Sequence, residues 1–173
     1  MGTMISYFLF EQPLLSTVVL VVLVIVGPLA GARLVPRPRS ALIAGGLSLL
    51  PIAWLTLAPY PRPVVDRCTV QWLLPTPGRA ELMANVILFV VPALLFTVAF
   101  RRPAMVLAVA IALSMTIELV QASLPGTGRS CDTSDLLNNA IGAAVGAGLG
   151  LVAVRIARPP CVPERLQRIR TGN

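Results

Sequence analysis

Carboxylate and amide side chains interrupt the apolar segments in the C-terminal half of the chain. The clearest case is the stretch GRSCDTSDLLNNAIGAAVGAG, in which Asp132 and Asp135 precede two asparagines and a run of small residues. Carboxylates gathered at one site support general acid–base catalysis, ligation of Mg²⁺ or Ca²⁺ through oxygen, or hydrogen bonding to a polar head group or a sugar. The residue types alone leave these three kinds of chemistry open.

Helical spacing puts the polar residues of each segment on one face, because residues three or four apart are neighbours on a helix. A carboxylate facing lipid is costly, at about 2.5–3.5 kcal/mol for Asp at the centre of a span. We therefore expect the polar faces to point at one another and to enclose a pocket. The faces comprise Glu81 and Asn85, then Ser114, Glu118 and Gln121, and finally Asp135, Asn138, Asn139 and Gly142.

Such a pocket supports two functional hypotheses, beside a purely structural network in which the polar groups only satisfy one another. The first is a binding module. The second is a membrane-embedded hydrolase or transferase, with Glu118 and either Asp132 or Asp135 as acid and base. Clustering of the polar groups at one end of the spans argues against a transporter. The expected ligand contacts are Glu81, Asn85, Gln121, Arg129, Asn138 and Asn139, where Arg129 suits either an anion clamp or a network with the carboxylates.

The composition defines the elements that must position these residues. Of the 173 residues, 56% are hydrophobic and only 12% are charged, whereas soluble domains are about 25% charged. This predicts an all-α, polytopic membrane helical bundle of about five transmembrane helices over residues 1–160, followed by a basic tail over 161–173. Glycines four residues apart, at 142, 146 and 150, predict close helix packing. The expected spans are Leu14–Ala32, Ala41–Pro59, Leu82–Phe100, Ala104–Ser123 and Leu136–Ile156.

Arginine supplies all of the positively charged side chains of the chain. There are 14 basic residues, all Arg, and no His, and the net charge is +7. In a chain this apolar, arginines anchor spans at anionic lipid head groups, so we expect no nucleic-acid partner. Without His the chain has no ordinary His-based zinc site, and we expect neither zinc nor haem.

The distribution of arginine predicts the orientation. With the N-terminus outside and the C-terminus cytoplasmic, ten arginines lie inside and four outside, namely Arg62, Arg67, Arg79 and Arg129. This agrees with the positive-inside rule. The carboxylates of the third, fourth and fifth spans then lie near the outer interface of the membrane.

The cysteines divide between the two sides in this topology. Cys68 and Cys131 lie in outer loops and Cys161 lies in the cytoplasmic tail. Because disulfides persist in oxidising compartments, we predict a bridge between Cys68 and Cys131. It would hold the long loop between the second and third spans against the region of Asp132.

Three motifs in this half of the chain resemble the VanZ-like family of small integral membrane proteins. The similarity covers Glu81–Leu151. This sequence departs from the pattern of the family in lacking a glycine near Ala93 and in having a cysteine at 131, where the family commonly has an aromatic residue. The first two spans match only in hydrophobicity. The motifs comprise Glu81 with Asn85, Phe89 and Pro92; Glu118 with Gln121; and Arg129 with Asp132, Asp135, Asn139 and Gly142.

The resemblance implies a multi-pass protein of the bacterial cytoplasmic membrane. The founding member of the family is associated with resistance to the lipoglycopeptide teicoplanin. The expected partner is therefore an amphiphilic molecule of the outer leaflet: a lipid-linked envelope precursor, a phospholipid or a lipoglycopeptide antibiotic. The alternative is the hydrolase or transferase acting on a lipid-linked sugar or phosphate. The oligomeric state is left open.

Overall fold

A computed structural model describes residues 13–57, 68–123 and 130–158 of the chain. Five of its segments are long and apolar enough to cross a membrane, which confirms the predicted all-α membrane bundle. The predicted tail over 161–173, with Cys161, lies outside the described residues. The elements are helices α1 (Pro13–Leu34), α2 (Pro38–Leu47), α3 (Leu49–Leu57), α4 (Ala80–Phe100), α5 (Pro103–Ser123) and α6 (Thr133–Ile156), with short strands β1 (Cys68–Thr69) and β2 (Cys131–Asp132).

The second span, Pro38–Leu55, is divided into α2 and α3 at Ser48. Pro51 causes this division. In a continuous helix its ring would clash with the carbonyl group of Leu47, four residues earlier, and Pro51 has no N–H to donate to that carbonyl group. The hydroxyl group of Ser48 donates a hydrogen bond to the carbonyl oxygen of Gly45, 2.6 Å away. The side chain of Ser48 is thus bonded within the span at the point of division.

Helices α4 and α6 run parallel at the centre of the bundle and approach each other closely. A Cβ atom added to Gly142 or Gly146 would overlap the backbone carbonyl group of Val86 or Val90, at well under 3.0 Å. A Cβ atom added to Gly150 would overlap the side chain of Thr97. The predicted packing role of these glycines is confirmed, since only residues without a side chain permit this distance between the two helices.

The remaining helices surround this central pair. About half of the residues in the apolar windows of α4 and α6 are buried, against 11% for α1 and 17% for α5. The end of α1 contacts both central helices, because Gly31 lies against Ala153 and Leu94, and α2 contacts α4 through Gly45 and Phe96. The outer helices therefore present apolar surface to lipid, and the core lies along α4 and α6.

We predict that Gly146→Ala destabilises the bundle while Gly148→Ala does not. The methyl group at 146 would overlap the carbonyl of Val90, and overpacking of this kind costs about 1–3 kcal/mol. At 148 the same methyl group meets open space, and Ala favours a helix over Gly by about 1 kcal/mol. Thermal unfolding of the detergent-solubilised variants measures the difference, and equal stability of the two would contradict the packing described.

Candidate functional site

An extended segment, Cys68–Arg79, crosses the N-terminal end of α6, and we call it the strap. Strand β1 in the strap pairs in parallel with β2, with Cys68 opposite Cys131 and Thr69 opposite Asp132. A disulfide joins Cys68 to Cys131, whose Cα atoms are 4.5 Å apart. The predicted bridge is therefore confirmed, and it connects the strap to the residue immediately before the α6 N-cap.

Gln71 anchors the middle of the strap to the first residues of α6. Its backbone N–H donates to the hydroxyl oxygen of Thr133 at 2.9 Å, and that hydroxyl group donates to the carbonyl oxygen of Gln71 at 2.5 Å. Its side-chain amide donates to Asp132 Oδ2 at 2.5 Å. These bonds satisfy groups at a helix N-terminus that would otherwise need water.

Two residues further, the strap is held by buried side chains of α6. The backbone N–H of Leu73 donates to the hydroxyl oxygen of Ser134 at 3.2 Å, and the Ser134 hydroxyl group donates to the Gln71 carbonyl oxygen at 3.0 Å. The amide nitrogen of Asn138 donates to the carbonyl oxygens of Leu73 at 3.0 Å and Ser134 at 2.7 Å. Asn138, expected to contact a ligand, thus uses its nitrogen to hold the strap.

Asp132 is the N-cap of α6, and both of its carboxylate oxygens accept hydrogen bonds within the protein. Oδ1 accepts from the backbone N–H of Ser134 at 2.7 Å, as an N-cap residue does. Oδ2 accepts from Gln71. Of the two aspartates considered as catalytic partners of Glu118, Asp135 is therefore the one whose carboxylate is not committed to this cap.

Glu118 and Asp135 come together from α5 and α6. One oxygen of Glu118, Oε2, accepts from the backbone N–H of Asp132 at 2.7 Å, which ties α5 to the start of α6. The side-chain amide of Asn85 on α4 donates to Asp135 Oδ1 at 2.6 Å. Three helices thus contribute to one site, as the polar faces predicted.

The deeper part of the site lies between α5 and α6. The amide nitrogen of Asn139 donates to the hydroxyl oxygen of Ser114 at 2.9 Å, and both side chains are buried. Gln121, which lies on the same face of α5 as Ser114, is also buried. We refer to Asn85, Ser114, Glu118, Asp135 and Asn139 together as the polar cluster.

Among the residues that the structure describes, two amide oxygens at this end of the bundle are buried without a hydrogen-bond partner. They are Oδ1 of Asn138 and Oδ1 of Asn139. The side chains that carry them are 0% and 4% exposed. Buried polar atoms are paired in the great majority of folded proteins, so an unpaired acceptor points to a missing donor.

The charges that act on Asp135 within the described part of the chain are all negative. They come from Glu118, Asp132 and Glu81. Glu81 itself is exposed at the start of α4, so it adds charge from the rim of the site. Arg129, expected to act either as an anion clamp or in a network with the carboxylates, lies outside the described residues. The described site is therefore rich in hydrogen-bond acceptors and negative in charge.

No metal site is assembled among residues 13–57, 68–123 and 130–158, since no three Asp, Glu or Cys side chains there form a group that could hold an ion. Carboxylate and amide oxygens are nevertheless the ligand types that Mg²⁺ and Ca²⁺ prefer. Binding of either cation at the carboxylates stays a prediction.

Sequence reasoning missed the residues that connect the strap to α6. Gln71 lies in a loop without periodicity, and its partners are 61 or more positions away, so no local pattern marks it. The sequence did contain a signal that could have identified Thr133 and Ser134. Asp132 followed by a helical run with Asp135 in its first turn is an N-cap pattern.

These features define a multi-pass membrane protein with a polar site at one end of its bundle. A family model described as VanZ/LLP1 matches residues 14–154, and the chain therefore belongs to the VanZ/LLP1 family. The match includes the first two spans, where the sequence motifs had shown only hydrophobicity. No curated protein and no solved structure matches the chain significantly.

We predict that replacing both bridged cysteines by alanine releases the strap. A native disulfide contributes about 2–5 kcal/mol, and without it the backbone N–H groups of Gln71 and Leu73 should lose protection. Hydrogen–deuterium exchange of these two amides should accelerate several-fold in the double variant, while the centre of α4 and α6 is unchanged. Cys161→Ala is the matched control. Unaltered protection in the double variant would mean that the side-chain hydrogen bonds alone hold the strap.

Proposed function

We propose that this VanZ/LLP1 protein binds the polar head group of an amphiphilic envelope molecule in the polar cluster. The observation that carries the proposal is the buried, unpaired amide oxygen of Asn139, one helical turn from Asp135. Leaving such an acceptor unsatisfied costs about 1–3 kcal/mol. A ligand that donates an N–H or O–H group removes this cost.

The electrostatics of the site favour a particular kind of head group. Asp135 is surrounded by the negative charges of Glu118, Asp132 and Glu81. An ammonium, amine or hydroxyl donor complements these acceptors, whereas a bare phosphate does not. Ethanolamine phospholipids, lipid-linked sugars and lipoglycopeptides all offer such donors, so the shared chemistry is a donor-bearing head on a lipid anchor.

The arginines support an outward orientation for the polar cluster. In the described part of the chain, Arg33, Arg37, Arg39, Arg101, Arg102, Arg155 and Arg158 lie at the end of the bundle opposite the cluster, and Arg79 lies at the cluster end. By the positive-inside rule the arginine-rich end is cytoplasmic. We therefore assign the cluster to the outer leaflet of the bacterial cytoplasmic membrane, where envelope amphiphiles are exposed.

A second candidate function is hydrolysis or group transfer on a lipid-linked sugar or phosphate. The observation in its favour is that Asp132 is committed to the α6 N-cap, while Glu118 and Asp135 each accept a hydrogen bond through one oxygen and the charge of Glu118 acts on Asp135. A pair of carboxylates in different environments can serve as general acid and general base. Turnover that is lost in Asp135→Asn, while head-group binding persists, would favour this function.

We predict that Glu118→Gln and Asp135→Asn weaken head-group binding by about ten- to a hundredfold, because hydrogen bonds to charged groups contribute about 1.5–3 kcal/mol. Native mass spectrometry of protein equilibrated with vesicles of phosphatidylethanolamine and phosphatidylglycerol measures the retained lipid. The wild-type protein should retain phosphatidylethanolamine in preference to phosphatidylglycerol, and both variants should lose that preference.

The control is Glu164→Gln, which removes one carboxylate charge from the C-terminal tail, outside the described residues. It should retain phosphatidylethanolamine as the wild-type protein does. Equal retention of the two phospholipids by the wild-type protein, unaffected by any of the substitutions, would contradict head-group binding by the polar cluster.

A further inference from the structure

An apolar cavity of about 210 Å³ lies between α3, α4 and α5. Its lining includes Ile52, Phe89, Ala93, Phe96, Val106 and Ala110. An engineered apolar cavity of about 150 Å³ stays dry and binds benzene. A space lined in this way favours hydrocarbon over water.

The cavity reaches the core of the bundle and is not merely part of the surface that faces lipid. Phe89 and Ile52 are each 2% exposed and belong to one hydrophobic core cluster. At its other end the lining continues to Phe100 and Met105, which are 46% and 38% exposed. The cavity thus extends from the surface of the bundle, near the α4–α5 connection, to its interior.

The cavity and the polar cluster share the same helix faces. On α4, Asn85, Phe89, Ala93 and Phe96 follow one another at intervals of three or four residues, which places them on one face. Four residues of helix span about 6 Å, so the inner end of the cavity begins about one turn from Asn85. Asn85 thus lies on the same face of α4 as the residues that line the cavity.

Helix α5 repeats this arrangement from the other side. Val106 and Ala110 line the cavity, and Ser114 and Glu118 continue the same spacing of four into the polar cluster. Two helices therefore each carry a polar end and an apolar stretch in register. This is the pattern that a molecule with a polar head and a hydrocarbon chain would match along its length.

We propose that the cavity between α3, α4 and α5 holds one hydrocarbon chain of the amphiphile whose head group occupies the polar cluster. This inference rests on the proposed function and specifies its ligand as a molecule with a membrane-embedded acyl or prenyl chain. Because the bilayer is as apolar as the cavity, the hydrocarbon chain gains little hydrophobic transfer energy on entering it. The gain comes from close contacts with Phe89 and Phe96. The polar cluster selects the molecule, and the cavity orders its chain.

Photo-crosslinking tests the position of the chain. The probe is a phosphatidylethanolamine with a diazirine on one acyl chain, incorporated with the wild-type protein into vesicles of phosphatidylethanolamine and phosphatidylglycerol. We expect the crosslinks to concentrate on residues 89–100 of α4 and 105–113 of α5. Crosslinks distributed over the exposed faces of α1 and α5 in proportion to their area would overturn the inference.

A pair of substitutions on one helix sharpens this test. Ala110→Phe fills the cavity and should lower crosslinking to α4 and α5 at least fivefold, whereas Ala112→Phe adds the same side chain at an exposed position and should leave it unchanged. Thermal unfolding shows whether Ala110→Phe is folded, and the wild-type crosslink map decides the question if it is not. Crosslinking that is equal in the two folded variants would exclude the chain from the cavity.

The failure of this inference can be distinguished from failure of the proposed function. If Glu118→Gln abolishes the preference for phosphatidylethanolamine while a folded Ala110→Phe crosslinks as the wild-type protein does, the head-group site stands and the cavity does not hold the chain. If neither substitution has an effect and the wild-type protein shows no head-group preference, both proposals are wrong.

Discussion

The membrane interior cannot donate or accept hydrogen bonds, and this constraint accounts for most of the polar architecture of the protein. Each carboxylate or amide at the ends of α4, α5 and α6 must find a partner inside the protein or face water. Asn85 bonds Asp135, Ser114 bonds Asn139, and Glu118 accepts from the backbone of Asp132. These bonds position the helices relative to one another at this end, and two buried amide oxygens among the described residues, Oδ1 of Asn138 and Oδ1 of Asn139, have no hydrogen-bond partner.

The close approach of α4 and α6 is what allows this network to form. Gly142 and Gly146 leave room for the backbone of α4, and one turn before Gly142 the same helix face carries Asn138 and Asn139. Wider separation of the two helices would take Asn85 out of reach of Asp135. The disulfide and the strap act at the N-terminal end of α6, where Asp132 caps the helix and Gln71 donates a hydrogen bond to Asp132. Packing and polar contacts thus support each other.

Membership of the VanZ/LLP1 family covers residues 14–154, so the helices that carry the cavity and those that carry the polar cluster belong to one family unit. The second span lies within the matched residues, and its residue Ile52 on α3 helps to line the cavity. The polar site and the apolar cavity lie along the same faces of α4 and α5, an arrangement that the proposed amphiphilic ligand would match along its length. This relation between the two features links the chemistry of the site to the membrane around it.

The sequence by itself determined the class of protein, the number of spans, the polar faces and the cysteine pairing. These depend on composition, on periodicity and on the side of the membrane on which a residue lies, all of which are local or additive properties. Only the tertiary structure decided that Asp132 is a cap, that Asn138 holds the strap, and that Gln71 takes part at all. It also revealed the cavity, because empty space between α3, α4 and α5 depends on how three helices fit together. Such contacts join residues up to 65 positions apart, and no short-range pattern in the chain encodes them.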